Sequence, residues 1–304
     1  MNPLINSMRL RTLPLSLAGV VCGGVMGYAH PACRPGTHIF LVLTAVMLQI
    51  LTNLSNELGD HLSGVDSESR EGPNYSMADG GLTVKQMWRA INTFVVLCAV
   101  SGFIMLLLSF PLVSIEFWVF ILLGAAAIWA ATHYTLGKKP YGYIGLGDLF
   151  VFLFFGLASV LGSHYVIAHS LLSPYSQSIL PVMAPAIGVG LLSVAVLNVN
   201  NIRDMQSDDG LRKTIPLRIG AIPAKIYQTL LVVLGVACFM WNEEHLAFCA
   251  ITIPFFVWHI IGVWCRKGKR LDPMLPLLVI STFVLALIYS EVYNIEVTCP
   301  YPIW

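Results

Sequence analysis

The chain has 304 residues, of which 57% are hydrophobic and only 11% are charged. Soluble domains carry about 25% charged residues, so this composition and a mean hydropathy of +0.76 predict an integral membrane protein. A formal net charge of +1 excludes the basic surface that nucleic acid requires, and no nucleic-acid partner is expected.

Nine apolar runs follow one another along the chain, each close to the roughly 20 residues that cross the hydrocarbon core of a lipid bilayer. They predict an all-α membrane bundle of about nine transmembrane helices. The first run lacks a small-residue cleavage site, so we expect it to remain as a helix. The predicted spans are residues 13–29, 37–58, 87–110, 113–135, 144–166, 179–200, 224–241, 246–265 and 274–293.

The distribution of basic residues predicts the orientation of these spans. With the N-terminus in the cytoplasm, sixteen of the seventeen Lys and Arg residues fall on the cytoplasmic side and only Arg34 falls outside. Because cytoplasmic loops are enriched in Lys and Arg, we expect this orientation in a multi-pass protein of the cell (inner) membrane. The long polar loops 59–83, 136–143 and 201–223 then share the cytoplasmic face, where we expect the active site.

The first acidic stretch, residues 53–66, begins at the end of the second predicted span. At about 100° per residue, Asn53, Asn56, Glu57 and Asp60 share one helical face. Carboxylates gathered at the end of a membrane helix repel each other and resist desolvation, so a positive ion is expected to accompany them. Ligands that are all oxygen atoms favour Mg²⁺ over zinc or copper.

A second acidic stretch, residues 198–209, begins at the end of the sixth predicted span. Asn198, Asn201, Asp204 and Asp208 again share one helical face. A plainer interpretation is that each stretch only caps its helix and is solvated. A cap needs one Asn or Asp, however, and not four on one face.

The two stretches lie in the two halves of one chain, and both begin Asn-x-x-Asn. This similarity predicts a single membrane domain over residues 1–304, built from two pseudo-repeated halves. The acidic motifs at 53–66 and 198–209 would be the corresponding parts of the two halves.

Two facing stripes of Asn and Asp with cations nearby suit a diphosphate. Mg²⁺ keeps open positions for phosphate oxygens, and basic side chains at the same rim can bind the remaining charge. An apolar bundle rich in Phe below the rim would accept a long hydrocarbon tail, which indicates a polyprenyl diphosphate as substrate. The basic residues are Arg70, Lys138, Lys139, Arg203, Arg212 and Lys213.

The two stripes resemble the paired Asp-rich motifs of UbiA-type intramembrane prenyltransferases, with Glu57 in the second position of the first motif. Gly-Val-Asp at 64–66 and Arg-Glu-Gly-Pro at 70–73 are closer to one branch, the 1,4-dihydroxy-2-naphthoate polyprenyltransferases of menaquinone synthesis. The run after Pro73 departs from that branch, which more often has Arg and Gln where Tyr75 and Ala78 stand.

Three further stretches resemble the same branch. They are Arg-Leu-Arg-Thr-Leu-Pro at 9–14, the Gly- and Phe-rich run at 141–156, and the second stripe continued by Lys-Thr at 213–214. The resemblance extends from residue 9 to about residue 220, and the last three predicted spans match only as generic membrane helices.

The resemblance implies a reaction and a set of residues. The C–O bond of the diphosphate ionises to an allylic cation, which a ring carbon of the aromatic acceptor attacks, with loss of the acceptor's carboxylate. It also implies catalytic residues Asp60, Asp66, Asp204 and Asp208. Mg²⁺ would be held by Asn56, Asp60, Asp66, Asp204 and Asp208. Substrate would contact Asn53, Asn56, Arg70, Lys138, Lys139, Tyr141, Asp148, Asn198, Asn201, Arg203 and Lys213.

Two alternatives remain open from the sequence. The acidic stripes do not separate the naphthoate branch from UbiA-type enzymes that use 4-hydroxybenzoate, haem or a chlorophyll precursor. A secondary transporter also combines repeats with intramembrane carboxylates, but its site would lie near the bilayer midplane, whereas both stripes end at one rim.

Overall fold

The structure is a computed structural model that describes residues 2–64, 76–174, 176–241 and 243–298. All regular secondary structure in these ranges is helical. Within them, eight helical segments are long and apolar enough to cross a membrane, by length and composition. The predicted all-α membrane bundle is therefore confirmed, while the cytoplasmic position of the N-terminus stays a prediction.

The eight segments follow the predicted spans, and the predicted seventh span corresponds to a shorter apolar helix, α10. Some segments join several helices, such as α6, the π-helix Phe152–Ala158 and α7. The helices are α1 (Pro3–Ser7), α2 (Leu13–Gly27), α3 (His38–Ser63), α4 (Val84–Ser109), α5 (Ile115–His133), α6 (Gly147–Val151), α7 (Ser159–Ala168), α8 (Leu180–Arg203), α9 (Ile215–Ile219), α10 (Ala221–Ala237), α11 (Glu243–Cys249), α12 (Ile253–Cys265) and α13 (Met274–Thr298).

The helices that carry the acidic motifs both end within those motifs. Gly64 ends α3 in the left-handed conformation at φ 74°, which glycine adopts without strain. Its backbone N–H caps the Asp60 and His61 carbonyls. Helix α8 ends at Arg203, so Asp204 is its C-terminal cap and Asp208 lies in the turn that follows. The Asp208 N–H donates to the Asp204 carbonyl at 2.9 Å across that turn.

Helix α2 lies against both α7 and α13. At Gly19 and Gly23, backbone and side chains of the α7 region occupy the space that a side chain would need. Small residues allow this close approach of membrane helices. Helix α8 packs against the π-helix and against α10, so the helix that leads into the second acidic motif has two neighbours.

Two loops meet at the end of the bundle where α3 and α8 terminate. The Lys213 backbone N–H donates to the Tyr143 carbonyl at 3.0 Å, which joins the loop after α5 to the loop after α8. The Thr135 hydroxyl donates to the Ser55 carbonyl at 2.9 Å and so attaches the first of these loops to α3. The C-terminal ends of α3 and α8 are therefore held at one rim.

Candidate active site

Asp60 lies in the last turn of α3 and is 3% exposed. The Tyr143 hydroxyl donates to its Oδ1 at 2.8 Å. The Ser63 hydroxyl lies 2.9 Å from the same Tyr143 oxygen. The Arg212 guanidinium forms an ion pair with Asp60 through Nη2. This carboxylate thus contacts donors from the loop after α5 and from the loop after α8.

Arg212 also lies beside the second acidic motif. Its Nε is 3.9 Å from Asp208 Oδ1, and both side chains are at least nine-tenths buried. Its guanidinium carbon lies 4.7 Å from the centre of the Tyr143 ring. Arg212 therefore contacts Asp60 of the first motif and Asp208 of the second, as the prediction of facing stripes required.

Burial and neighbouring charges shift the pKa values of three side chains here. Burial alone would lower the pKa of Arg212, but the Asp60 and Asp208 carboxylates raise it above its ordinary value. Burial, and then the Asp60 charge, raise the pKa of Tyr143 above its ordinary value, so its hydroxyl keeps the proton that it donates. Burial also raises the pKa of Tyr134, near the same charges, to about 12.

Asp204 has different partners, because both of its carboxylate oxygens accept hydrogen bonds from Arg203. Arg203 Nε donates to Oδ1 at 2.8 Å and Nη2 donates to Oδ2 at 2.7 Å. The same guanidinium donates to Asn200 Oδ1 and, through Nη1, to Asp272 Oδ1, each at 2.8 Å. Asp204 is 4% exposed.

A cavity of about 410 Å³ lies inside the bundle, and Asn56 and Asn200, which belong to the two acidic motifs, are among its lining residues. Asn56, one helical turn before Asp60, lies on its wall, and most of the remaining wall is apolar. The lining comes from residues 9–12, α2, α3, α4, α5, the α6–α7 segment, α8 and α13. Its polar members include Arg9, Arg11, Gln49, Asn53, Asn56, Tyr134, Tyr141 and Asn200.

The predicted substrate residues fall into several environments. Asn53, Asn56 and Tyr141 line the cavity. The Asn53 amide donates to the Met8 carbonyl at 2.8 Å, which attaches the N-terminal segment to α3. Lys138, Lys139 and Lys213 are exposed in the loops at the rim, and Asn201 is buried.

Other predicted residues are directed elsewhere or lie outside the described ranges. The Asn198 amide donates to Gln228 Oε1 at 2.8 Å, so it contacts α10. Asp148 accepts a hydrogen bond from the Tyr227 hydroxyl at 3.0 Å, also on α10. Asp66 and Arg70 lie outside the described residues, and their roles stay predictions.

Several residues of the site were not among the predicted site residues. Tyr143 and Asn200 lie within two residues of predicted ones in the sequence, and Arg212 was predicted only as one of several basic residues. Asp272, before α13, gave no signal at all because it lies far along the chain from both motifs. These positions become recognisable only from contacts between distant segments.

Arg212 also has a hydrogen-bond donor that is available to a ligand. Its Nε is buried and has no hydrogen-bond partner among the described residues. Those residues contain no ready group of three or more His, Cys, Asp or Glu side chains for a metal. Two buried carboxylates around one cation nevertheless form an oxygen donor set that fits a hard divalent ion, and the spare donor fits an anion beside it.

The helical bundle and the two acidic motifs at one rim define a membrane prenyltransferase. The profile of the UbiA prenyltransferase family matches residues 16–278, and the chain belongs to that family.

The chain is 35% identical over 292 residues to the 1,4-dihydroxy-2-naphthoate octaprenyltransferase of Haemophilus influenzae, covering 93% of this chain and 92% of that protein. It is 38% identical over 235 residues to the Escherichia coli protein of the same name, covering 77% and 74%. A UbiA homolog from Archaeoglobus fulgidus bound to DMAPP and Mg²⁺ has the same fold, with a TM-score of 0.64 at 15% identity and coverage of 97% and 98%.

Proposed function

We propose that this protein transfers a polyprenyl group from a polyprenyl diphosphate to 1,4-dihydroxy-2-naphthoate, releasing diphosphate and CO₂ and giving demethylmenaquinol. The observation that carries the proposal is Arg212, which has a spare donor and lies between Asp60 and Asp208. Asn56 and Asn200 of the same two motifs line an apolar cavity inside the bundle. A charged rim over an apolar cavity suits a substrate with a diphosphate head and a hydrocarbon tail. The 35% identity to the Haemophilus influenzae enzyme supports this acceptor.

Mg²⁺ is the proposed cofactor, in keeping with the Archaeoglobus fulgidus homolog bound to DMAPP and Mg²⁺. When bound, it would neutralise charge on the diphosphate leaving group. Asp60 and Asp208 already share one cation, Arg212, which supports their role as ligands. The full proposed ligand set is Asn56, Asp60, Asp66, Asp204 and Asp208.

Arg212 is the proposed main contact for the diphosphate. A planar guanidinium binds phosphate oxygens through parallel hydrogen bonds, and Arg212 Nε is a buried donor without a partner. Lys138, Lys139 and Lys213 are exposed at the same rim, so their charge would attract the diphosphate from solution. Arg70 remains a proposed member of this set.

The hydrocarbon tail would lie in the cavity, and the acceptor would enter beside the first isoprene unit. Tyr141 and Phe150 stack at 4.1 Å between ring centres, and both line the cavity. Aromatic faces attract positive charge, so these rings would stabilise the cationic character that develops on the allylic carbon. An apolar wall also excludes water, which would otherwise capture the cation.

The proposed location is the cell (inner) membrane, with the active site facing the cytoplasm. Support comes from the basic residues, which cluster on the loops at the rim. Cysteines introduced at Lys139 and Arg34 would test the orientation by labelling with a membrane-impermeant reagent. We expect Lys139→Cys to react from the cytoplasm and Arg34→Cys from the opposite side, and the reverse would contradict the orientation.

The reaction can be tested with the purified protein in lipid nanodiscs. Radiolabelled polyprenyl diphosphate would be supplied with 1,4-dihydroxy-2-naphthoate, 4-hydroxybenzoate or no acceptor, and the products separated. We expect transfer to the naphthoate alone, its loss with EDTA and its return with Mg²⁺. Transfer to 4-hydroxybenzoate instead would assign the protein to another branch, and full activity in chelator would contradict the metal-dependent reaction.

A further inference from the structure

Arg203 has a guanidinium that is nearly fully hydrogen-bonded. Its guanidinium makes four hydrogen bonds of 2.7–2.8 Å, to Asp204 twice, to Asn200 and to Asp272. Its side chain is 3% exposed. A guanidinium with so many short bonds has little capacity left for a substrate, although Arg203 was predicted to bind one.

Asp272 is the only one of these partners, among the described residues, that does not belong to the second acidic motif. It lies 69 residues away in sequence, in the short connection that leads into α13. Its side chain is 27% exposed, so it is partly solvated, whereas Arg203 is buried. Helix α13 in turn lines the cavity through Leu275, Pro276 and Val279.

The geometry gives Asp272 a specific effect on the site. Asn200 and Asp204 lie on the same helix end as Arg203, so without an outside anchor the three side chains could rotate together. Asp272 binds Nη1 and fixes the guanidinium plane. Because Arg203 Nε and Nη2 contact both oxygens of Asp204, this plane fixes the orientation of that carboxylate. It also fixes the amide of Asn200, which lines the cavity.

We propose that Asp272 is a positioning residue for diphosphate binding, acting through Arg203 on Asp204 and Asn200. This inference rests on the proposed function, since it assigns the second acidic motif to the diphosphate. Asp272 itself need not touch substrate. Its contribution is to hold two neighbouring side chains in one orientation before the diphosphate arrives, which lowers the entropic cost of binding.

The test measures binding of inorganic pyrophosphate with Mg²⁺ to the detergent-purified full chain, by isothermal titration calorimetry. Asp272→Ala removes the anchor, and we expect the dissociation constant to rise about tenfold, the value of one charge-assisted hydrogen bond. Asp272→Asn keeps an acceptor oxygen in place and should restore affinity to within about threefold of the wild type. Asp79→Ala, an exposed aspartate at the same end of the bundle, is the matched control and should bind normally.

Kinetics and a second variant separate positioning from a general loss of structure. Asp272→Ala should raise the KM for polyprenyl diphosphate and leave the KM for the acceptor unchanged. Arg203→Lys should lower pyrophosphate affinity similarly, and the double variant should lose little more, because both changes break one contact. If the loss of pyrophosphate affinity in the double variant equalled the product of the two single losses, the two residues would act independently and the proposal would be overturned. This conclusion would hold even if Asp272→Ala also lowered the melting temperature.

The outcomes also distinguish this inference from the proposed function. A wild type that binds pyrophosphate and an Asp272→Ala variant that binds equally well would overturn only the role of Asp272. A wild type that binds no pyrophosphate would overturn both.

Discussion

The rim contains two buried arginines that differ in what they connect. Arg212 contacts Asp60 of the first acidic motif and Asp208 of the second, so it lies inside the site. Arg203 contacts Asp204 of its own motif and Asp272 outside both motifs, so it lies behind the site. The same kind of ion pair therefore occurs in two positions with opposite consequences for a ligand.

The two arginines also differ in how many of their donors have hydrogen-bond partners. Arg203 is nearly saturated, with four short bonds to fixed partners. Arg212 keeps a buried Nε without a partner, and its contact to Asp208 is 3.9 Å long. A cation with spare donors can change partners when an anion arrives, whereas a saturated one serves as scaffold. We therefore expect substitutions of Arg203 to change stability first and substitutions of Arg212 to change substrate binding first.

Arg203→Gln should have the largest effect on stability. It leaves Asp204 buried without its partner, and removal of one member of a buried ion pair costs about 3–5 kcal/mol. The thermal melting temperature of the purified protein would fall clearly below that of the wild type. An Arg203→Gln variant that melts at the wild-type temperature would contradict the scaffold role of Arg203.

Asp60→Asn and Asp204→Asn should have the largest effect on turnover. Each keeps its size and a polar atom at the helix end but removes one negative charge from the proposed metal ligands. Loss of such electrostatic stabilisation costs about 3 kcal/mol, on the order of a hundredfold in turnover at saturating substrates. Arg270→Gln, on the exposed connection before α13, is the control and should retain turnover. Near-normal turnover of the aspartate variants with loss in Arg270→Gln would mean that the site is misplaced.

The sequence predicted the membrane helices and the rim because those features depend on local pattern. Apolar runs of spanning length, loops with basic residues and the ends of two helices with Asn and Asp can be recognised without tertiary contacts. These local patterns were enough to predict that Asp60 and Asp208 lie at the same end of the bundle. The internal repeat of residues 1–304 stays a prediction.

The directions of individual side chains could be predicted less well than the positions of the helices. The helical wheel placed Asn198 and Asp208 on one face, but α8 ends at Arg203 and Asp208 lies in a turn beyond it. The wheel therefore no longer applies at Asp208, and at Asn198 packing against α10 decides the direction. Arg212 and Asp60 are 152 residues apart, a distance over which periodicity carries no information.

Arg212→Gln should have an intermediate effect, on affinity for the diphosphate. Loss of a charged hydrogen-bond donor weakens binding by about 1.5–3 kcal/mol, or roughly ten- to a hundredfold. The KM for polyprenyl diphosphate would rise while the KM for the acceptor stays constant. Arg212→Lys would recover only part of the affinity for polyprenyl diphosphate, because lysine lacks the planar guanidinium with its parallel donors. An unchanged KM for polyprenyl diphosphate in Arg212→Gln would contradict the role of Arg212 in the site.

Asn198→Ala should have the smallest effect. Its amide bonds to Gln228, which lies 3.0 Å from His259, so this residue joins α8 to α10 and α12. Hydrogen bonds between membrane helices average about 0.6 kcal/mol, and we expect a slight loss of thermal stability with the KM values unchanged. A higher KM for polyprenyl diphosphate would instead support the prediction from sequence that Asn198 binds substrate.

The central claim is that the two acidic motifs form one cation and diphosphate site, and Mn²⁺ binding tests it most directly. Electron paramagnetic resonance of the purified protein with Mn²⁺ and inorganic pyrophosphate would be measured for the wild type, Asp60→Asn and Asp208→Asn. One shared site predicts that either substitution alone abolishes the pyrophosphate-dependent binding of Mn²⁺. Two independent sites would each survive loss of the other, and half of the bound Mn²⁺ remaining in each variant would contradict the account.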